Sequence, residues 1–235
     1  MKTADIYIFD YIGASFWDDG VTAKSVVAAI QDAGKFDELA VHINSPGGAV
    51  DESIAIYTAL RDVGKPVNVH IDGLAASAAS IVAMAGDTRQ MAYNASVMIH
   101  DPWGMTMGTA ADMRKGADTL DHYKGVLVDT YARRTGQAPD AIATMMADET
   151  WLTAAKALEL GFATSIKDDK KAAALAVAAE SPTRVWDITK FKYRRVPETV
   201  AAQFSRPRLS LARQRFNVHG AKVGHLAAVA ARRGQ

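Results

Sequence analysis

The stretch from Val67 to Gly86 constrains this chain more than any other. Val67, Val69 and Ile71 alternate with Asn68, His70 and Asp72, the period of a strand with one face buried. Gly73-Leu-Ala-Ala-Ser77-Ala-Ala-Ser80 then leads into a small-residue helix, Ser77 to Ala85, that ends at Gly86. A strand that turns into a helix within a few residues predicts a layered α/β arrangement, and the succession recurs over the first 166 residues. Tyr7, Ile8 and Phe9 form a short apolar run that closes at Gly13. Val21 to Ala33 has helical spacing, with Val26, Val27 and Ile30 on one side. Leu39 to Ile43 reads as a strand stopped by Ser45-Pro46-Gly47-Gly48, and Val50 to Val63 returns to a helix aligning Val50, Ile54, Tyr57 and Leu60. Arg89–Ala92 and Val97–Ile99 predict two further strands, followed by helices over Ala110–Arg134, Pro139–Asp148 and Ala154–Leu160.

Beyond that point the character changes. Residues 167–183 are a charged and alanine-rich linker, with a charge run at Lys167–Lys171 and a helix candidate at Ala172–Glu180. From Arg184 to Gln235 twelve Lys and Arg face two acids, Asp187 and Glu198, a net +10; the rest of the chain holds 15 bases and 24 acids, a net −9. The overall +1 therefore hides a folded domain, residues 1–166, followed by a basic tail, 184–235. The tail's large apolar residues, among them Trp186, Phe191 and Phe216, are sparse, so no packed core is expected there.

Composition closes several routes. With no cysteine among 235 residues, disulfides, a thiol nucleophile and thiolate metal sites are excluded. The six histidines show no H-E-x-x-H spacing, so no metal is expected. No apolar run approaches the ~18 residues of a membrane span, and Asp5 and Asp10 come too early for a signal peptide. The expectation is a soluble, cytoplasmic protein.

Three stretches lie just past strands, where the loops of an α/β scaffold converge: Asn44–Gly48, Gly73–Ala78 and Val97–His100. Ser77 sits at a strand-to-helix boundary, where it could attack a carbonyl while the N–H of Ala78 receives the oxyanion; the plainer reading is a helix cap. It is not a G-x-S-x-G elbow. Ala76 and its small neighbours leave room for a substrate backbone. Gly47 and Gly48 permit close approach to a ligand and a second oxyanion donor, or make a plain turn. His100 could serve as general base. A carboxylate to orient it could come from Asp148 or Glu149, ahead of Thr150-Trp-Leu-Thr153; Asp101 should point away from its neighbour. His42 and His70 read as sheet-face residues, and His122 as an exposed helix residue.

In these motifs the chain resembles the Clp protease proteolytic subunit family, and more closely its phage relatives, the Clp-like head maturation (prohead) proteases. The resemblance covers about Tyr7 to Ile166 and rests on INSPGG at Ile43–Gly48, GLAASAAS at Gly73–Ser80, MIH at Met98–His100 and ETWLTAAKALELGFA at Glu149–Ala163, in family order. It implies a crotonase-like fold, a spiral of ββα units, and a serine endopeptidase with nucleophile Ser77, base His100 and oxyanion donors Gly48 and Ala78. The family's third residue is usually an aspartate at the position of Glu149, so Glu149 is the expected triad member and Asp148 the alternative. Stacked rings of identical subunits are implied, joined through the Ala110–Arg134 helix, and a separate AAA+ ATPase as a further partner. No cofactor is implied, and Gly20-Val-Thr-Ala-Lys24-Ser25 lacks the glycines of a phosphate loop.

Capsid or scaffold protein is then the expected substrate, with a housekeeping Clp subunit as the alternative. An enoyl-CoA hydratase or isomerase on the same fold would leave Ser77 and His100 without a role. The remaining reading is a catalytically dead scaffold whose tail binds nucleic acid or another polyanion, which sparse aromatics and the absence of a nucleic-acid motif weaken.

Overall fold

Side-chain alternation builds the sheet. In the strand Val67–Ala76, Val67, Val69 and Ile71 are buried, while Asn68, His70 and Asp72 stay half-buried on the other face. The computed structural model describes residues 1–15, 18–167, 191 and 193–204, all within the unit Met1–Ser205. In chain order the elements are β1 (Thr3–Ile8), β2 (Ala14–Ser15), β3 (Asp18–Asp19), α1 (Ala23–Asp32), β4 (Glu38–Ser45), α2 (Val50–Arg61), β5 (Val67–Ala76), α3 (Ala78–Ala83), β6 (Thr88–Ala92), β7 (Ser96–Ile99), α4 (Ala110–Thr135), α5 (Pro139–Ala147), β8 (Thr150–Thr153), α6 (Ala154–Glu159), β9 (Ser165–Lys167) and α7 (Glu198–Phe204). Parallel pairing runs β1-β4-β5-β6-β9. Strand β5 is long enough to pair twice on one side: Asn68–Ile71 with β6, and Leu74–Ala76 with β7, onto which β8 adds antiparallel. The C-terminal ends of β4, β5 and β7 therefore meet.

Helix α3 is buried along its whole length, which only its small residues allow against β5. The last carbonyls of α3 are taken by the main-chain N–H groups of Met84, Ala85 and Gly86, which leaves the carbonyls of that closing turn to be satisfied. Three arginines supply donors to them: Arg134 Nε donates to Met84 O at 2.7 Å and its Nη2 to Gly86 O at 2.5 Å, Arg61 Nη1 to Ala85 O at 3.2 Å, and Arg89 Nη1 to Gly86 O at 3.0 Å. Cations at the negative end of a helix are also favourable electrostatically. Arg89 is itself only 6% exposed and donates further to Phe162 O, Gly161 O and Arg134 O. This buried cation is thus held by carbonyl oxygens from separate segments of the chain.

Elements match the sequence reading better than faces do. In the apolar run at the start, Ile8 is buried but Tyr7 is 52% exposed, because β1 alternates from Ala4 onward. On α1 Val26 faces the core and Val27 does not. On α2 the buried side is Ser53, Ile56 and Leu60. Ser53 can be buried because its hydroxyl donates to Val50 O at 2.7 Å, leaving no unmet donor. The Ala172–Glu180 helix and the charge run beyond Lys167 lie outside the described residues. Of the expected tail, Phe191 and Tyr193–Phe204 are described and belong to the same unit as the domain, with Val200 only 5% exposed.

Replacing Arg89 by Met strips donors from Phe162 O, Gly161 O and Arg134 O, while Gly86 O keeps Arg134. With each orphaned buried group costing about 1–3 kcal/mol, equilibrium urea unfolding of Arg89→Met should show a loss of ~3 kcal/mol or more.

Candidate active site

Ser77 joins β5 to α3 with φ 53° and ψ −126°, a backbone conformation that costs a non-glycine residue about 1–3 kcal/mol. Several bonds impose it. Ser77 N donates to Met98 O at 2.9 Å, and Ser77 O accepts from Ser80 N at 2.9 Å and from Ser80 Oγ at 2.6 Å. Since Ser80 gives its one hydroxyl proton to that carbonyl, the 2.6 Å bond to Tyr131 must be donated by the buried Tyr131 hydroxyl of α4. The turn projects the Ser77 side chain away from α3, to which it makes no capping bond. Its Oγ lies 2.7 Å from His100 Nε2 instead. The helix-cap reading therefore fails.

The turn after β4 crosses directly over Ser77. Gly47 has φ 91°, and a Cβ there would stand 2.5 Å from Ala76 O, 2.8 Å from Ser77 Cβ and 2.9 Å from Ala78 N. Only glycine permits both the conformation and the approach. Ile12 pins the turn on both sides, through Ile12 N to Gly47 O at 2.9 Å and Ala49 N to Ile12 O at 2.8 Å. Gly48 lines the same cavity as Ser77, and Ala78 opens α3, where an N–H has no intrahelical acceptor. Gly47 and Ala76, the expected substrate contacts, are engaged within the protein. Gly47 N donates to Ser45 Oγ at 3.1 Å, and the Ala76 side chain is buried with Leu74 and Met98 against Trp151 and Tyr193.

His100 follows β7 and is half-buried. Burial pulls its pKa below the ordinary 6.5; the charges of Glu149 and Asp101 oppose this, and Arg194 adds to it. Asp101 turns aside, its Oδ2 2.9 Å from Lys124 Nζ, as the extended spacing implies. Glu149, at φ 49°, is 3% exposed, whereas the Asp148 side chain is 57% exposed and pairs with Arg195 Nη1 at 3.2 Å. The buried carboxylate near the imidazole is therefore that of Glu149. Among the described residues its hydrogen bonds come from Arg194 N and Arg195 N, both at 2.6 Å, and from Trp151 Nε1 at 3.3 Å. None joins it to His100.

Tyr193 closes the remaining side. Its hydroxyl donates to Pro46 O, and its ring meets the edges of His100 (centroids 5.8 Å, 82°) and Trp151 (5.6 Å, 83°) and stacks on Phe191 (5.8 Å). A cavity of about 240 Å³ remains in front of the serine, lined by Tyr11, Ser77, His100, Trp103, Phe191 and Tyr193 among others. The sequence reading missed Tyr193 and the two amides on Glu149. The only signal was an aromatic pair at i, i+2 in an otherwise polar basic stretch.

Elsewhere His42 and His70 do lie on the polar sheet face. Their rings stack at 4.8 Å, and His42 Nδ1 is 2.7 Å from Asp72 Oδ2. Among the described residues no cluster of three or more His, Asp or Glu could hold a metal ion, and no helix is long and apolar enough to cross a membrane.

Burial outweighs the neighbouring carboxylates at His100, so its imidazole should titrate below 6.5. A His pKa depressed by folding stabilises the fold above the unfolded value and withdraws that support as pH falls through the folded one. Following the His100 ring proton by NMR against pH, with His100→Gln as the assignment control, checks this.

Comparison with known proteins gives a concordant result. A family model described as Clp protease matches residues 12–170. The ATP-dependent Clp protease proteolytic subunit 1 of Leifsonia xyli subsp. xyli is 30% identical over 163 residues, covering 67% of this chain and 82% of that protein. The solved structure of a point mutant of ClpP1 from Listeria monocytogenes superposes with a TM-score of 0.62 at 22% identity, over 71% of this chain and 92% of that one, which shows a shared fold.

Proposed function

The chain belongs to the Clp protease family and is a serine-type peptidase; from that premise we propose that Ser77, His100 and Glu149 form its triad and that it cleaves peptide bonds through an acyl-enzyme. The 2.7 Å contact between Ser77 Oγ and His100 Nε2, at the N-terminus of α3, carries the reading. For Ser77 to donate its proton, Nε2 must be the unprotonated nitrogen, so the imidazole proton sits on Nδ1.

Ser77 Oγ attacks the scissile carbonyl as its proton passes to Nε2. The carbonyl oxygen becomes an oxyanion, received by the N–H groups of Gly48 and Ala78. Each such donor contributes about 2.7–4 kcal/mol to the barrier reduction. The C–N bond breaks as His100 returns the proton to the departing amine. Water then attacks the ester, gives a proton to His100, and the acid leaves with Ser77 restored. Glu149 supplies the negative charge that supports the imidazolium. Asp148, exposed and paired with Arg195, is the weaker candidate.

We further propose that subunits assemble into rings and that the substrate is capsid or scaffold protein in head maturation. The strong charge asymmetry and the long basic tail support this finer assignment. The alternative, a degradative subunit fed by a separate ATPase, is supported by the relative named an ATP-dependent proteolytic subunit. Cleavage of capsid protein without ATP supports the first; turnover of an unfolded substrate only with an AAA+ ATPase and ATP supports the second.

A fluorophosphonate probe should label wild type at Ser77 and leave Ser77→Ala unlabelled, by mass spectrometry of the modified peptide. Glu149→Gln should lower kcat, by at most about 10⁴-fold, the effect of neutralising a carboxylate bonded directly to its histidine. Asp148→Asn should change kcat only slightly. A Ser77→Ala protein with undiminished peptidase activity would overturn the assignment.

A further inference from the structure

The family match ends at residue 170, yet one wall of the site comes from Phe191 and Tyr193. Three contacts make that wall more than a covering. The Tyr193 hydroxyl donates to Pro46 O, in the turn that carries Gly47 and Gly48 over Ser77. The Tyr193 ring stands edge-on to His100 and Trp151. The main-chain N–H groups of Arg194 and Arg195 each donate at 2.6 Å to a different oxygen of Glu149. Glu149 is 3% exposed, and the only other donor it has among the described residues is Trp151 Nε1, at 3.3 Å. Two short, charge-assisted bonds outweigh that longer one in fixing the carboxylate.

We infer that Tyr193, Arg194 and Arg195 are positioning residues of the catalytic centre, Tyr193 bracing the oxyanion turn and the base, and the two main-chain amides holding the triad carboxylate. This rests on the assignment of Ser77, His100 and Glu149 above. Three sides of one reaction centre, the Pro46 turn, His100 and Glu149, are tied together by three successive residues. The segment is a wall and not a plug, since the cavity before Ser77 is present with Phe191 and Tyr193 in its lining. The guanidinium of Arg195 plays a separate part, bonded outward to Asp148.

The test uses the full chain and separates backbone from side chain. Arg195→Ala keeps the N–H and loses only the Asp148 pair; Arg195→Pro deletes the donor to Glu149. Tyr193→Phe loses the bond to Pro46 and keeps the ring; Tyr193→Ala loses both. Arg195→Pro and Tyr193→Ala should lower kcat on the order of a hundredfold with KM nearly unchanged, the scale of a small misplacement of reacting groups. Arg195→Ala should stay within a few-fold of wild type, and Tyr193→Phe should fall between Tyr193→Ala and wild type. The acid limb of kcat/KM against pH should move toward higher pH in Tyr193→Ala. The groups acting on His100 are Glu149, Asp101 and Arg194, with burial the largest influence, and removal of Tyr193 relieves that burial.

Equal activity in Arg195→Pro and Arg195→Ala would overturn the role of the amides. A rise in kcat in Tyr193→Ala would overturn positioning and identify the segment as an inhibitory cap. Circular dichroism and the urea midpoint establish that each variant is folded. Fluorophosphonate labelling of Ser77 reports separately on the underlying assignment: unlabelled wild type removes that reading, while labelled wild type with unaffected variants removes only this one.

Discussion

The site depends on one residue held in a conformation it would not choose. Ser77 lies at positive φ between a buried strand and a fully buried helix, and its neighbours leave it no alternative. The strain of about 1–3 kcal/mol is offset by bonds on both sides of the residue: Met98 O receives its N–H, and Ser80 takes its carbonyl by main chain and side chain. At the far end of the same helix, Arg61, Arg89 and Arg134 hold the carbonyls of the turn that closes it. The helix is fixed at both ends, so the hydroxyl has one place to point, and His100 is there at 2.7 Å.

What could be read from the sequence was what contiguous residues encode together. Ser45–Gly48, Gly73–Ser80 and Met98–His100 each carry a strand end, a turn and a candidate group within a few positions, so fold class and site emerged from one reading. The contacts that aim those groups are distant in the chain. Ser80 and Tyr131 are 51 residues apart, Glu149 and its two amide donors 45 and 46, and Pro46 and Tyr193 147. No periodicity signals such pairs. Helix faces were blurred for a related reason: a buried Ser53 looks polar in sequence but satisfies itself inside α2.

The carboxylate position shows how local backbone resolves an ambiguity left open by composition. Asp148 and Glu149 are adjacent and both acidic. Asp148 closes α5 in ordinary helical geometry and faces outward. Glu149 takes positive φ, which turns its side chain inward before β8 begins at Thr150. Which of the two neighbours is buried is set by one dihedral angle, and the strain of that angle is offset by the bonds its carboxylate accepts.

The arginines at the end of α3 have a further consequence. Guanidinium groups stay charged throughout the range in which an imidazole gains or loses its proton. The clamp on the helix that follows Ser77 is therefore insensitive to mild acid, while the imidazole beside it is not. Under the proposed mechanism acidification silences the chemistry and leaves that helix seated, so the arrest should lift as soon as neutrality returns, with no refolding of the serine turn in between.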